Sequence, residues 1–461
     1  MSLGLFSLLA LSVVMGAGTL FRIAGWRSKA PSIHFSDTPA SVKIRQPDGS
    51  IATESLQNLV ETKCPGLRSK FSPVWWLFNG HLQTLYCVLG DFSKIDRLQY
   101  HRRLIRLLDG GTLGLDFAPA DSSKIKDDAP IIVVLHGLTG GSYESYVRAI
   151  LAPACRAVED GGLGYRGVVV NFRGCAGTPV TAPQLYSAGH TGDIRQALVF
   201  ISQIYPRAPL LGLGFSLGAN VLTRYLAQEG VQSRLSSGCA LGCPWALSRN
   251  NESLRNSFIG RIYSKAMATN LINLVRRNLD GLSKFPDHLI AQHIPTVLNL
   301  KGALLDEFDE NFTRIAGGAP PDFPFATAQD YYKWGSSHDV LSDIRVPFLA
   351  IGAADDPVVQ HIPMDGGGNA MTVMALTAAG GHLGWFQAGP NGSIERWIKA
   401  PVMQWMSLTG DVLALPSSSA PHVHIEDGYY REEGRENGCK EIEGGGLVEG
   451  DSWEGRNLRG L

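Results

Sequence analysis

Nothing in this chain pulls in one electrostatic direction. Its 461 residues carry 41 Lys and Arg against 42 Asp and Glu, a formal net charge of -1. No Lys/Arg run of the kind that follows a phosphate backbone is present, so nucleic acid is excluded as an expected partner. The seven cysteines (64, 87, 155, 175, 239, 243 and 439) are odd in number, contain no C-x-x-C pair and several sit in apolar stretches. That excludes a disulfide framework or a zinc site and predicts buried free thiols. No repeat period recurs, which removes solenoids and propellers. At 44% hydrophobic residues the chain has enough apolar material for one large core with additional segments.

Charge is missing locally as well. From Leu3 to Phe21, LGLFSLLALSVVMGAGTLF, there is no charged residue, and the stretch approaches the roughly 20 residues of a membrane-spanning helix. Small residues at 16–18 resemble a cleavage point, yet no Lys or Arg precedes the stretch, which favours an uncleaved anchor over a secretory signal. Residues 1–29 are therefore expected to be a single-pass N-terminal anchor, with the endoplasmic reticulum or a lipid droplet as its membrane. Arg22, Arg27 and Lys29 follow it, so the positive-inside bias would hold the rest of the chain in the cytoplasm. Sequons at Asn251, Asn311 and Asn391 point instead to a lumenal domain.

What is present, from about 100 to 410, is a series of short apolar runs separated by helix-length segments: IIVVL (131–135), GVVV (167–170), PLLGLG (209–214), PFLAIG (347–352) and TVMAL (372–376). Such runs predict an α/β fold with a mostly parallel central sheet covered on both faces. Residues 30–99 form an N-terminal extension. Successive helical patterns at about 245–330 predict a cap inserted over the sheet edge. Residues 411–461, rich in Gly, Glu and Ser, are expected to be a disordered acidic tail.

The strand PLLGLG runs into GFSLGAN, a G-x-S-x-G around Ser216. A turn that joins a strand directly to a helix forces its central residue into a strained conformation, and Gly214 and Gly218 let the two elements approach. Such an elbow lifts the serine hydroxyl to the N-terminus of the following helix, where amides and dipole favour developing negative charge. Without those neighbours, Ser216 would be a helix cap in a Gly-rich turn.

A serine hydroxyl needs a base, and the base needs an acid that fixes its tautomer. GGHLGWF places His382 after the last apolar run, and IGAADDPVV places Asp355 and Asp356 after the run before it. The chain order Ser, Asp, His is the one this fold requires. Asp356, at the start of a turn followed by Val-Val, is favoured as the acid. Asp355 is the alternative, and the aspartate not used is expected to be a solvated turn residue or helix cap. The glycine-rich loop of VVLHGLTGGS (133–142) supplies an oxyanion donor, so the backbone amides of Leu138 and Leu217 are assigned to the oxyanion hole. NFRGCAGTP (171–179) either shapes the pocket or is a structural turn. In the insert, Phe258, Ile262, Leu271 and Leu274 either wall an acyl pocket or are ordinary core residues.

The segments HGLTGGSYESYVR, VNFRGCAGTP, GFSLGAN, AQDYYKWGSS, ADDPVV and GGHLGWF, with FNGHLQT upstream, resemble the membrane-anchored α/β-hydrolase family that includes fungal medium-chain fatty acid ethyl ester synthase/esterases and related lipases. The resemblance covers roughly residues 70–410. It implies a Ser-Asp-His triad at Ser216, Asp356 and His382, an N-terminal anchor, and short- to medium-chain acyl esters as substrates. An H-x4-D box found after the catalytic His of some related lipid enzymes is absent, because Gln387 stands where its acid would be.

The expectation is a serine acyl hydrolase, a carboxylesterase or lipase, acting on a small lipid ester at a membrane without metal or cofactor. Alcohol acyl transfer through the same acyl-enzyme is the alternative. A catalytically silent lipid-binding scaffold is the alternative of another class.

Overall fold

The isoleucines, valines and leucine of residues 131–135 alternate between two apolar clusters: Ile131, Val133 and Leu135 enter one, Ile132 and Val134 the other. A strand buried on both faces is what a continuous apolar run predicts, and it sets the layering of the whole fold. The structure is a computed structural model that describes residues 29–414 and 419–450. The expected anchor at 1–29 lies, but for Lys29, outside the described residues. Among the described residues no helix is long and apolar enough to cross a membrane.

Among the described residues sixteen strands occur in the order β1 (Ser32–Phe35), β2 (Ser41–Arg45), β3 (Ile51–Ser55), β4 (Gln99–Leu107), β5 (Thr112–Ala118), β6 (Ile131–Leu135), β7 (Arg166–Asn171), β8 (Leu210–Phe215), β9 (Ser237–Leu241), β10 (Phe348–Ala353), β11 (Thr372–Thr377), β12 (Phe386–Ala388), β13 (Ile394–Arg396), β14 (Val423–Glu426), β15 (Tyr429–Glu432) and β16 (Gly438–Glu449). Twelve of them form one sheet, β1-β11-β10-β9-β8-β6-β7-β5-β4-β16-β15-β14. The centre, from β11 to β7, is parallel, and the outer strands are antiparallel. All five apolar runs named from the sequence are strands of that parallel centre. β9, sequence SGCAL, is the one strand of it that those runs do not include.

Helices of eight or more residues are α1 (Leu56–Lys63), α2 (Gly80–Leu89), α3 (Ser145–Cys155), α4 (Gly192–Ile204), α5 (Leu217–Glu229), α6 (Leu247–Asn256), α7 (Phe258–Arg277), α8 (Leu289–Asn299), α9 (Ala328–Gly335) and α10 (Lys399–Ser407). α4 and α5 bury their apolar sides against one face of the sheet, and α3 and α10 against the other. α6 to α9 lie between β9 and β10, the place where the sequence loses its strand–helix rhythm. All seven cysteines are buried and none is in a disulfide.

The disordered tail is a correction. Within 411–461, residues 423–449 hold β14, β15 and β16, and β16 pairs with β4 from Cys439–Leu107 to Glu449–Gln99 across a bulge between Ile442 and Gly446. Low hydrophobicity is misleading at a sheet edge, where one side of the strand is solvated and ion pairs replace part of the apolar burial. Glu441 pairs with Arg103, Glu432 with Arg234, and Arg435 with Glu229, while Cys439 is fully buried. At the opposite edge β1 pairs antiparallel with β11, so the N-terminal extension is also part of the sheet.

Removing residues 419–461 should leave β4 as an edge with unpaired backbone groups. The expected result is a Tm lower by roughly 5 °C and concentration-dependent light scattering. An unchanged Tm would mean that the three strands contribute nothing to the fold.

Candidate active site

Ser216 ends β8 and begins α5 with φ 51° and ψ −120°. A non-glycine residue rarely adopts such a backbone, and the tightness of the turn explains its neighbours. A Cβ on Gly214 would lie 2.5 Å from Ala219 Cα, and one on Gly218 would lie 2.3 Å from the Leu135 carbonyl oxygen. Only hydrogen at both positions lets strand and helix meet here.

Asp356 follows β10 and His382 follows β11, and both side chains converge on Ser216. The His382 Nδ1 and Asp356 Oδ2 are 2.8 Å apart, and His382 Nε2 and Ser216 Oγ are also 2.8 Å apart. Because a carboxylate only accepts, Nδ1–H is the donor to Asp356, which leaves Nε2 free to accept from the serine hydroxyl. The other oxygen of Asp356 accepts from the amides of Val358 and Val359, at 2.8 and 3.0 Å. All three side chains are buried.

Asp355, the alternative acid, faces away from this line. Its Oδ1 accepts from the Gly381 amide at 2.9 Å, so it braces the loop that carries His382. Half-burial raises its pKa, opposed by that amide. It is a turn residue, as expected of the aspartate left over, but half-buried and tied to a neighbouring loop rather than solvated.

The amides of Leu138 and Leu217 have no acceptor among the described residues, and both residues line the pocket in front of Ser216. Their surroundings are fixed. Gly137 N–H donates to Tyr146 and Thr139 N–H to Tyr186, so the amides on either side of Leu138 are held while its own is left over. His136 is fully buried, its Nδ1 donating to Gly137 O and its Nε2 accepting from Phe172 N–H. Burial lowers its pKa to about 4, so it is a neutral strut beneath this loop. Arg173 of NFRGCAGTP forms a buried ion pair with Asp193 and a second with the exposed Asp109, and none of 171–179 lines the pocket. That segment is structural.

FNGHLQT, to which no role could be assigned from its sequence, clamps the His382 loop. Asn79 caps α2 by accepting from Leu82 N–H. Gly80 lies so close to Asp355 that a Cβ would fall 1.8 Å from its carbonyl oxygen. Gln83, fully buried, bonds Leu77 O and both backbone groups of Phe386. Thr84 accepts from His382 N–H at 2.8 Å. His81 stacks on Tyr263 of α7, whose pKa is raised by burial and then by the nearby Asp356 carboxylate. A glutamine and a threonine on a largely apolar helix are the signal that marks this role in the sequence.

Ser216 and His382 open into a pocket whose apolar wall includes Leu254, Met267, Leu271, Leu305 and Val358. Of the four insert residues named from the sequence, Leu271 lines it and Leu274 is in the core. Phe258 and Ile262 are a correction: they are 77% and 38% exposed, because the first turns of α7 have no layer outside them.

Comparison with known proteins agrees with this architecture. The family model described as "alpha/beta hydrolase fold" matches residues 130–365, just over half of the chain. The Monoacylglycerol lipase of Saccharomyces cerevisiae is 31% identical over 404 residues, covering 78% of this chain and 86% of that protein. Medium-chain fatty acid ethyl ester synthase/esterase 2 of the same yeast is 30% identical over 398 residues, covering 72% and 85%. Phospholipase ABHD3 of Mus musculus is 29% identical over 350 residues, covering 74% and 80%. The chain belongs to the α/β-hydrolase fold family and is a serine hydrolase of its esterase and lipase type.

Proposed function

We propose that this enzyme hydrolyses fatty acyl esters of short to medium chain length through Ser216, His382 and Asp356. The observation that carries the reading is the unbroken hydrogen-bonded line from Asp356 through His382 to Ser216, beside two unused amides. In this reading Ser216 Oγ attacks the ester carbonyl and His382 Nε2 takes its proton. The oxyanion is held by Leu138 N–H and Leu217 N–H. Collapse expels the alcohol, which receives the proton from His382 and leaves an acyl-enzyme; water then repeats the sequence and frees the acid. Asp356 orients the imidazole and stabilises its cationic form. An alcohol in place of water would give a new ester, a second reading supported by the relative named as an ethyl ester synthase/esterase. Residues 1–28 are proposed to hold the enzyme at a bilayer, next to its substrate.

The pocket wall also contains Asp309, buried without a cationic partner among the described residues. Thr313 and Tyr332 donate hydroxyl hydrogens to its two oxygens. Burial outweighs them and raises its pKa from 3.8 to about 6.

Three variants test the assignment together. Ser216→Ala should abolish ester turnover and fluorophosphonate labelling with an unchanged circular dichroism spectrum. Asp356→Asn should lose about 10^4 in kcat. Asp355→Asn, whose oxygen still accepts from Gly381, should lose roughly tenfold at most. Retained activity in the first, or the reverse ranking of the other two, would reject these catalytic roles.

Across a series of esters, each added methylene that the apolar wall takes up should contribute about 0.8 kcal/mol, close to fourfold in kcat/KM. The rise should end at a medium-chain maximum. A flat profile rejects the acyl pocket, and a transesterified product in the presence of ethanol identifies alcohol transfer.

Asp309 makes a pH-dependent contribution of definite sign. Its folded pKa lies above the unfolded value, so its contribution is fully present below about 3.8 and lost as pH rises through about 6. Relative to Asp309→Asn, the unmodified enzyme should lose up to about 3 kcal/mol of stability between those limits. Chemical denaturation of both proteins from pH 4 to 7.5 measures it, and a constant difference between them would show that Asp309 titrates normally.

A further inference from the structure

Two elements next to the site present large apolar side chains to solvent. Trp75 is 86% exposed, and along α2 so are Leu85 (41%) and Leu89 (72%), four residues apart and therefore on one face. At the start of α7, Phe258 (77%), Ile259 (44%) and Ile262 (38%) are exposed together. The two groups meet: His81, one turn before Leu85, stacks on Tyr263, one turn after Ile259. Single exposed apolar residues are ordinary, but five on two helices that meet, with Trp75 just before the first, form a patch that calls for an apolar partner.

We propose that this surface docks the folded body on a lipid bilayer, with the pocket turned toward the membrane. Three observations choose lipid over protein. First, the uncharged segment from Leu3 to Phe21 joins the described fold at Lys29, which bridges Phe71, four residues before Trp75. A bilayer holding that segment is thereby brought to this face. Second, α6 and the first half of α7 carry Arg249, Arg255, Arg261 and Lys265 against the single acid Glu252, with Arg255 also paired to Asp306. Basic side chains beside exposed Phe and Ile are the pattern of a helix lying in a headgroup region. Third, a tryptophan so exposed is suited to the membrane interface, where its ring is apolar and its N–H wet. The same α2 and α7 hold Thr84 against His382 and Leu271 in the pocket wall, so docking here brings the site to its substrate. The inference rests on the proposed esterase reading only for its substrate.

All native cysteines are buried, so a cysteine placed on the surface takes a polarity-sensitive fluorophore selectively. The full chain labelled at Phe258→Cys, and separately at the exposed Val231→Cys, is added to vesicles of phosphatidylcholine and phosphatidylserine. The label at 258 should shift to the blue and be quenched by lipids brominated in their chains, and the label at 231 should not. In the second arm, the double variant Trp75→Ser, Phe258→Ser should turn over a vesicle-embedded ester about tenfold more slowly, with a soluble ester unaffected. A label at 258 that stays water-like while the protein floats with the vesicles overturns the proposal. So does a blue shift that needs no vesicles and grows with protein concentration, which would assign the patch to a second copy. If no ester is turned over at all, the catalytic reading fails while the fluorescence arm still decides the surface.

Discussion

Three backbone hydrogen bonds at the ends of the parallel strands hold the site together. Ser216 N–H donates to Leu241 O, Gly242 N–H to Ile351 O and Ala354 N–H to Thr377 O, at 2.9, 3.0 and 2.8 Å. They continue the β8–β9–β10–β11 ladders past the last strand residues, directly beneath the three loops that carry Ser216, Asp356 and His382. A slip of one residue moves a strand end by about 3.3 Å, more than the whole length of either contact to His382. Register is in turn fixed by side chains that alternate between two buried clusters, because a slip would exchange the faces of an entire strand. The chemistry of the imidazole therefore depends on the packing of Val, Ile and Leu further along the sheet.

The ladder sets where the histidine loop begins but not its shape. Leu383 and Trp385, either side of Gly384, have φ of 59° and 50°, which side-chain-bearing residues adopt only when their surroundings hold them there. Trp385 is buried and donates to Thr377. Arg396 donates to the carbonyls of Leu383 and Gly384 while its guanidinium lies 4.3 Å from the Phe386 ring centroid. Gln83 and Thr84 of α2 hold the loop from the other side. α2 precedes the stretch matched by the family model, so part of what orients the imidazole comes from outside the recognised core.

The legible parts of the sequence are those where one physical cause dominates. Five unbroken apolar runs are five strands of the parallel centre, because burial on both faces demands nothing else. Ser216 and His382 are readable because a strained turn and a Gly-flanked loop each leave a local signature. Asp355 and Asp356 have the same chemistry in the same loop, and only the direction of each side chain separates them. β9 is hard to read because Gly238 and Ala240 give it little hydrophobic weight, although close packing requires the small residue: a Cβ on Gly238 would fall 2.5 Å from Leu226. β16 misleads for the opposite reason. Its Glu and Gly residues resemble a solvated tail, and the partners Arg103 and Leu107 that give it structure lie more than three hundred residues earlier.

The two ends of the described chain solve a common problem. A parallel centre leaves an open strand on each side, and an open edge invites association with other chains. β1 closes one side by pairing with β11, and β5 and β4 close the other beside β7, with β16, β15 and β14 extending that side from after the core, so neither edge of the parallel region meets solvent. The apolar patch beside the active site is not at an edge. It lies on α2 and α7, where His81 meets Tyr263 beside Asp356, and α2 is the helix that also fixes the His382 loop. Whatever covers that surface is thus coupled, through one helix, to the geometry of the imidazole. A lipid enzyme whose substrate arrives from the same side as its docking surface needs no separate element to sense that the substrate is near.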